Sequence, residues 1–134
     1  MRQGGNLVNI DRAYVIIGLA WLILGMILGF YMGATDNNKY LTVHVAMLLG
    51  GFVVLTFYGV IYRLWPALKE SALAKVQFWI AAAGSLVSSV GAVLIVNQMG
   101  VAVAAVGSAL AIMGAVLLSV IFCASRADMR VSKV

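Results

Sequence analysis

Apolar residues gather into four runs along this chain, about Ala13–Ala34, Leu41–Leu64, Val76–Val96 and Val101–Ala124, separated by short polar stretches. Each run holds on the order of 20 residues, enough for a helix to cross the hydrocarbon of a bilayer. Lipid offers backbone polar groups no partner, so a crossing segment satisfies them internally, as a helix. The pattern predicts an all-α integral membrane protein, a four-transmembrane-helix bundle, with residues 1–134 forming a single membrane domain. The connections fit. Thr35–Tyr40 reads TDNNKY, and Asp and Asn favour turns because their side chains bond nearby backbone. Pro66 stops the second run, since it lacks an N–H and disfavours helix just before it. Trp65 and Tyr62 are expected at the membrane–water boundary. Ser71 is placed to cap the third helix, and Asn97–Gly100 makes a tight turn without charge.

Composition adds weight without changing that picture. Hydrophobic residues are 64% and charged residues 10% of the chain, with a mean hydropathy of +1.08. A soluble domain holds about 45–50% and about 25%. No length remains for a separate soluble domain. The net charge of +5 does not point to nucleic acid, because the cations sit beside apolar runs, where they set topology. Arg2, Arg12, Arg63, Lys69, Lys75, Arg126, Arg130 and Lys133 fall on one side, and only Lys39 on the other. This asymmetry predicts both termini inside, N-in and C-in, in a multi-pass protein of the bacterial inner (plasma) membrane. The first run exceeds the roughly 7–15 residues of a signal-peptide core, so no cleavable signal is expected. The lone Cys123 excludes an intrachain disulfide, and the absence of C-x-x-C-H excludes covalent haem attachment.

Small residues mark packing faces. Gly25, Gly29 and Gly33 fall four apart, and Gly100, Gly107 and Gly114 seven apart, so each set lines one helix face. The third run carries Ala81, Ala82, Ala83, Gly84, Ser85, Ser88, Ser89 and Gly91. Such faces allow close helix approach, within a protomer or in a homo-oligomer.

Candidate chemistry narrows to His44, the single histidine. It lies about five residues past Lys39, or roughly 7 Å along the second helix. An ionisable group at that depth is costly and marks a functional site by default. Its helical face includes Met47, Leu48, Gly51 and Leu55, with Gly50 at the edge. A histidine above a glycine on an apolar wall suits a flat ligand such as haem. Nε2 of a neutral imidazole would bind the iron, and burial favours the neutral form. The other ring nitrogen would need an acceptor, with Thr42, Tyr40 or a backbone carbonyl as candidates. The residues alone leave two further roles open, an interhelical hydrogen bond and proton handling. Thr56, Tyr58 and Tyr62 along the same helix read either as a proton path or as ordinary interhelical bonding. Asp11, Asp36, Glu70 and Asp128 all lie outside the runs, which argues against a proton-coupled transporter. H-E-x-x-H, a Walker loop and a second histidine are all missing, so zinc hydrolase and nucleotide readings have no support.

Two stretches resemble a known family. Tyr14-Val-Ile-Ile-Gly18, then Trp21 and Gly25, is similar to a Y-x-x-x-G…W…G opening helix. Thr42-Val-His44, then Met47, Gly59 fifteen residues past the histidine, and Trp65-Pro66, is similar to the helix that follows it. Together, over about residues 11–66, they resemble the first two helices of subunit I of the haem–copper oxidase and nitric-oxide-reductase superfamily. In that family the corresponding histidine is an axial ligand of the low-spin haem. The resemblance implies that His44 is a metal ligand to a non-covalent haem b, with Met47 and Gly51 in the haem-binding wall. A six-coordinate iron would take Met47 or His44 of a second protomer; a five-coordinate one needs neither. Lys39, Asn37 and Asn38 are placed to meet haem propionates. The family's twelve helices form three arcs of four, and this chain resembles one arc, which implies a trimer or dimer. The family's copper site takes three histidines where this chain has one, so oxygen-reducing catalysis is not expected. The resulting expectation is a small membrane b-type cytochrome serving electron transfer, with its redox partner open, or haem-dependent sensing. The alternative is a structural or accessory tetraspan subunit without a cofactor.

Overall fold

The computed structural model describes residues 9–131, with side chains as far as Ser125. Arg2 and Lys133 lie outside the described residues, as do the side chains of Arg126, Asp128 and Arg130. Helix α1 spans Ile10–Thr35, α2 Leu41–Leu64, α3 Ala72–Val96 and α4 Ala102–Val131. No strand occurs among the described residues. All four helices are long and apolar enough to cross a membrane. Their outward faces carry large apolar side chains, with Phe30 79% and Trp79 70% exposed, which suits lipid and not water.

The connections follow from their residues. Asp36 takes the left-handed conformation, φ 50°, and its N–H returns to the Met32 carbonyl to close α1. Pro66 opens a single 3₁₀ turn, Pro66–Glu70, anchored by buried Leu68. Ser71 caps α3 as anticipated, its Oγ accepting the Leu73 N–H at 3.3 Å. This cap starts α3 four residues before the apolar run and brings Lys75 into its first turns. Gly100 departs from expectation. It has φ +108°, with nothing near its open face, so it shapes the turn and takes no part in a helix seam. The α4 seam consists of Gly107 and Gly114.

Close approach organises the bundle as two hairpins. In α3–α4, a Cβ on Gly91 would strike Ala104 backbone, and one on Gly107 would strike Ser88 backbone. In α1–α2, Gly25 receives Leu48 and Gly51 receives the Trp21 ring. Gly33 meets nothing within 4 Å, so the glycine face of α1 ends at Gly29.

An aromatic cluster joins the hairpins. Tyr14 stacks on Tyr62 at 6.0 Å and meets Phe78 edge-on at 4.9 Å and Tyr58 at 5.8 Å. Tyr62 is fully buried, so it belongs to this core. Trp65 remains partly exposed and packs on Phe122 of α4. Gln77 of α3 is fully buried at the centre. Its Oε1 accepts both the Tyr14 and the Tyr62 hydroxyls, and its Nε2 donates to the Gly114 carbonyl at 3.2 Å. Gln77→Leu leaves both hydroxyls without that acceptor. It is expected to cost about 1–3 kcal/mol, read as a lower unfolding temperature of the purified protein in detergent.

Candidate functional site

The histidine sits just before a change in helix type. Residues Leu41–Val45 are α-helical, Ala46–Val53 form a π-helix, and Val54–Leu64 return to α. A π-helix closes i→i+5 hydrogen bonds and is rare, with a tendency to occur at functional sites. Its wider turn changes which residues face inward. Val43, Met47, Gly51 and Leu55 fall four apart and all point into the bundle. Beyond Val54 the inward set, Leu55, Tyr58, Gly59 and Tyr62, returns to ordinary three-and-four spacing.

His44 is half-buried, and its ring lies against α1. Nδ1 is 2.8 Å from the Gly25 carbonyl. A carbonyl only accepts, so Nδ1 carries the hydrogen and donates it. Of the acceptors anticipated, the backbone carbonyl is the one used, and it comes from the neighbouring helix. The ring rests on Gly29, where a Cβ would lie 2.7 Å from Cε1 and 3.2 Å from Nδ1. In the neutral imidazole with Nδ1 protonated, Nε2 holds the lone pair. Nε2 makes no bond to another described residue.

The other anticipated residues are distributed differently. Met47 and Gly51 lie on the same inward face as His44, but α1 covers that face. Met47 packs with the core cluster, its Cβ near Gly25, and Gly51 holds the Trp21 ring. The wall expected to take a flat ligand is therefore a helix–helix interface within the protomer. Lys39 is apart from His44. Its Nζ bonds Asn97 Oδ1 at 3.0 Å and lies 5.2 Å from the Tyr40 ring centre, tying the two turns at that end of the bundle. Asn37 is engaged locally, its Oδ1 accepting the Lys39 N–H at 3.0 Å. Thr56 does not join the tyrosines. Its Oγ1 is buried without a partner beside Gly18, while Tyr62 belongs to the Gln77 network.

Sequence reasoning missed the pairing of His44 with Gly25 and Gly29. The signal was present as a glycine face, on the half of α1 that an antiparallel hairpin sets beside the start of α2. It missed Gln77 because a lone amide near a helix start resembles any interfacial polar residue. No group of three or more His, Cys, Asp or Glu side chains able to hold a metal ion occurs among the described residues. Protein-family models, curated proteins and solved structures give no match to this chain. Fold and site together define a multi-pass, all-helical protein whose one histidine is pinned between its first two membrane-length helices.

Proposed function

We propose that the protein is a small membrane b-type haem-binding protein in which His44 Nε2 is the axial ligand, serving electron transfer or haem-dependent sensing. The observation that carries this reading is the Nδ1–H···O=C bond from His44 to Gly25, 2.8 Å long. Ligating histidines generally donate the other ring N–H to a carboxylate, carbonyl or water, which fixes tautomer and ring orientation. Gly25 does both here, and Gly29 leaves space at the ring. When bound, haem b supplies one-electron redox chemistry; the chain's own part is to hold the neutral imidazole in one orientation. Because α1 covers the face that carries Met47 and Gly51, a haem held by His44 Nε2 would need a further wall from outside that face, which a second copy of the chain would supply. The charge asymmetry across the spans supports an N-in, C-in orientation in an inner membrane, with His44 toward the outer side.

The test is an absorption spectrum of the detergent-purified protein, oxidised and then reduced with dithionite, with haem counted per chain. A Soret band with sharp reduced α and β bands is expected, at one haem per two chains for a shared bis-histidine site. Gly29→Val pushes a side chain into the imidazole and is expected to shift or weaken those bands with the helical content unchanged. Lack of a Soret band after haem is added would instead favour a cofactor-free structural subunit. For that second reading the same His44–Gly25 bond speaks equally, as an α1–α2 staple.

A further inference from the structure

At the end of the bundle that carries Asp11, the charges do not balance. Asp11 is buried, and Lys69 Nζ reaches its Oδ1 at 2.8 Å. Arg63 reaches the other oxygen at only 3.4 Å, with its side chain 72% exposed. Lys69 alone matches the carboxylate, and most of the five N–H donors of the Arg63 guanidinium are left over. Arg12 is exposed and makes no ion pair among the described residues. Among the described residues at this end, Asp11 and the exposed Glu70 stand against Arg12, Arg63, Lys69 and Lys75, so the cations are in excess.

Between Arg12 and Arg63 opens a groove of about 440 Å³, whose walls include Val15, Ile16, Val60 and Leu64. Residues 12, 15 and 16 share a face of α1, and 60, 63 and 64 share a face of α2. The two arginines therefore stand at the mouth of an apolar slot that runs along the helices toward the middle of the bundle. Water is a poor occupant for such walls, and a neutral tail alone would leave the arginines unanswered.

We propose that this groove binds an anionic phospholipid, its phosphate between Arg12 and Arg63 and one acyl chain along Val15, Ile16, Val60 and Leu64. Guanidinium groups match phosphate with paired N–H donors. Basic residues just beyond a membrane span attract acidic lipid. Asp11 restrains Arg63 through the 3.4 Å contact without consuming its charge, since Lys69 is the nearer partner.

The experiment uses the full chain in a neutral detergent, with phosphatidylglycerol, phosphatidylcholine of the same tails, or soluble glycerol phosphate added, and bound adducts counted by native mass spectrometry. One phosphatidylglycerol should be retained in preference to phosphatidylcholine, and glycerol phosphate should not bind. Arg12→Gln and Arg63→Gln should each weaken retention about fivefold, the effect of one basic residue at an acidic membrane surface, and roughly 25-fold together. Val60→Trp, which fills the slot and alters no charge, should also weaken it. Arg12→Gln disturbs no ion pair among the described residues, so it carries the test by itself if Arg63→Gln compromises folding. Equal retention of the two lipids, undiminished retention in Arg12→Gln, or glycerol phosphate binding as well as the lipid would each overturn the proposal.

Discussion

Replacing His44 by alanine is expected to abolish haem binding while the chain remains inserted and helical. The two effects separate because the structural role of the side chain is small. Its one hydrogen bond among the described residues is Nδ1 to the Gly25 carbonyl. Interhelical hydrogen bonds of this kind in membranes contribute about 0.6 kcal/mol on average and rarely more than about 1.7. Alanine leaves a small void over Gly29 but no stranded charge, and Leu48 still packs on Gly25. No second histidine exists to replace the lost ligand. The variant should therefore show the wild-type circular dichroism in detergent and no Soret band above background. Full haem content in His44→Ala would refute the assignment of Nε2 as ligand. Loss of haem together with loss of helicity would return His44 to the role of a staple.

The largest structural effect is expected at Gly107. A Cβ there would fall on the Ser88 amide nitrogen and Cα, with the Ser88 hydroxyl also in the way. A flexible side chain could swing aside, but backbone cannot, so Gly107→Leu forces α3 and α4 apart. Gly84, Gly91 and Gly114 set the same close spacing; a Cβ added at Gly84 would lie 2.9 Å from the Ala111 amide nitrogen. Separation at one contact therefore loosens the others. Overpacking costs about 1–3 kcal/mol where neighbours can adjust, and here more, because a whole interface shifts. Gly33→Leu is the matched control. Nothing lies within 4 Å of its added Cβ, and exposed substitutions of this kind stay within about 0.5 kcal/mol. Thermal unfolding in the same detergent should show a large loss for Gly107→Leu and little change for Gly33→Leu. Similar unfolding temperatures for the two would mean that α3 and α4 are not held by this close approach.

The helices were legible because lipid leaves a spanning chain few choices: four long apolar runs and a proline at 66 dictate where helix must be and where one must stop. Smaller shifts came from local chemistry, as where Ser71 draws the start of α3 back to Ala72. Which glycines approach a partner was only half legible. Gly25, Gly29 and Gly33 are equivalent by spacing, yet the α1–α2 contact ends before the last of them. Gly100 shares a seven-residue spacing with Gly107, but the turn claims it through its positive φ. For the site, a backbone carbonyl stood among three candidate acceptors for His44, and the sequence did not choose between them; the structure pairs Nδ1 with the Gly25 carbonyl. That the wall beneath the histidine is filled by α1 was not legible, because periodicity tells which residues share a face and not what covers it. Tyr62 shows the same limit. Its place near a helix end could be read from the sequence, but its hydroxyl's partner, the buried amide of Gln77 on another helix, could not.

The wide turn in α2 bears on more than local geometry. An ordinary helix advances 100° per residue, so what faces inward at one end fixes what faces inward at the other. The π segment Ala46–Val53 breaks that constraint. It works as a vernier between two scales: the first part of α2 is set by where the imidazole must lie on Gly25 and Gly29, and the last part by where Tyr58 and Tyr62 must meet Tyr14. Each end of one continuous helix is thereby phased to its own neighbour, and a change at the histidine does not have to be repeated, turn by turn, at the tyrosines.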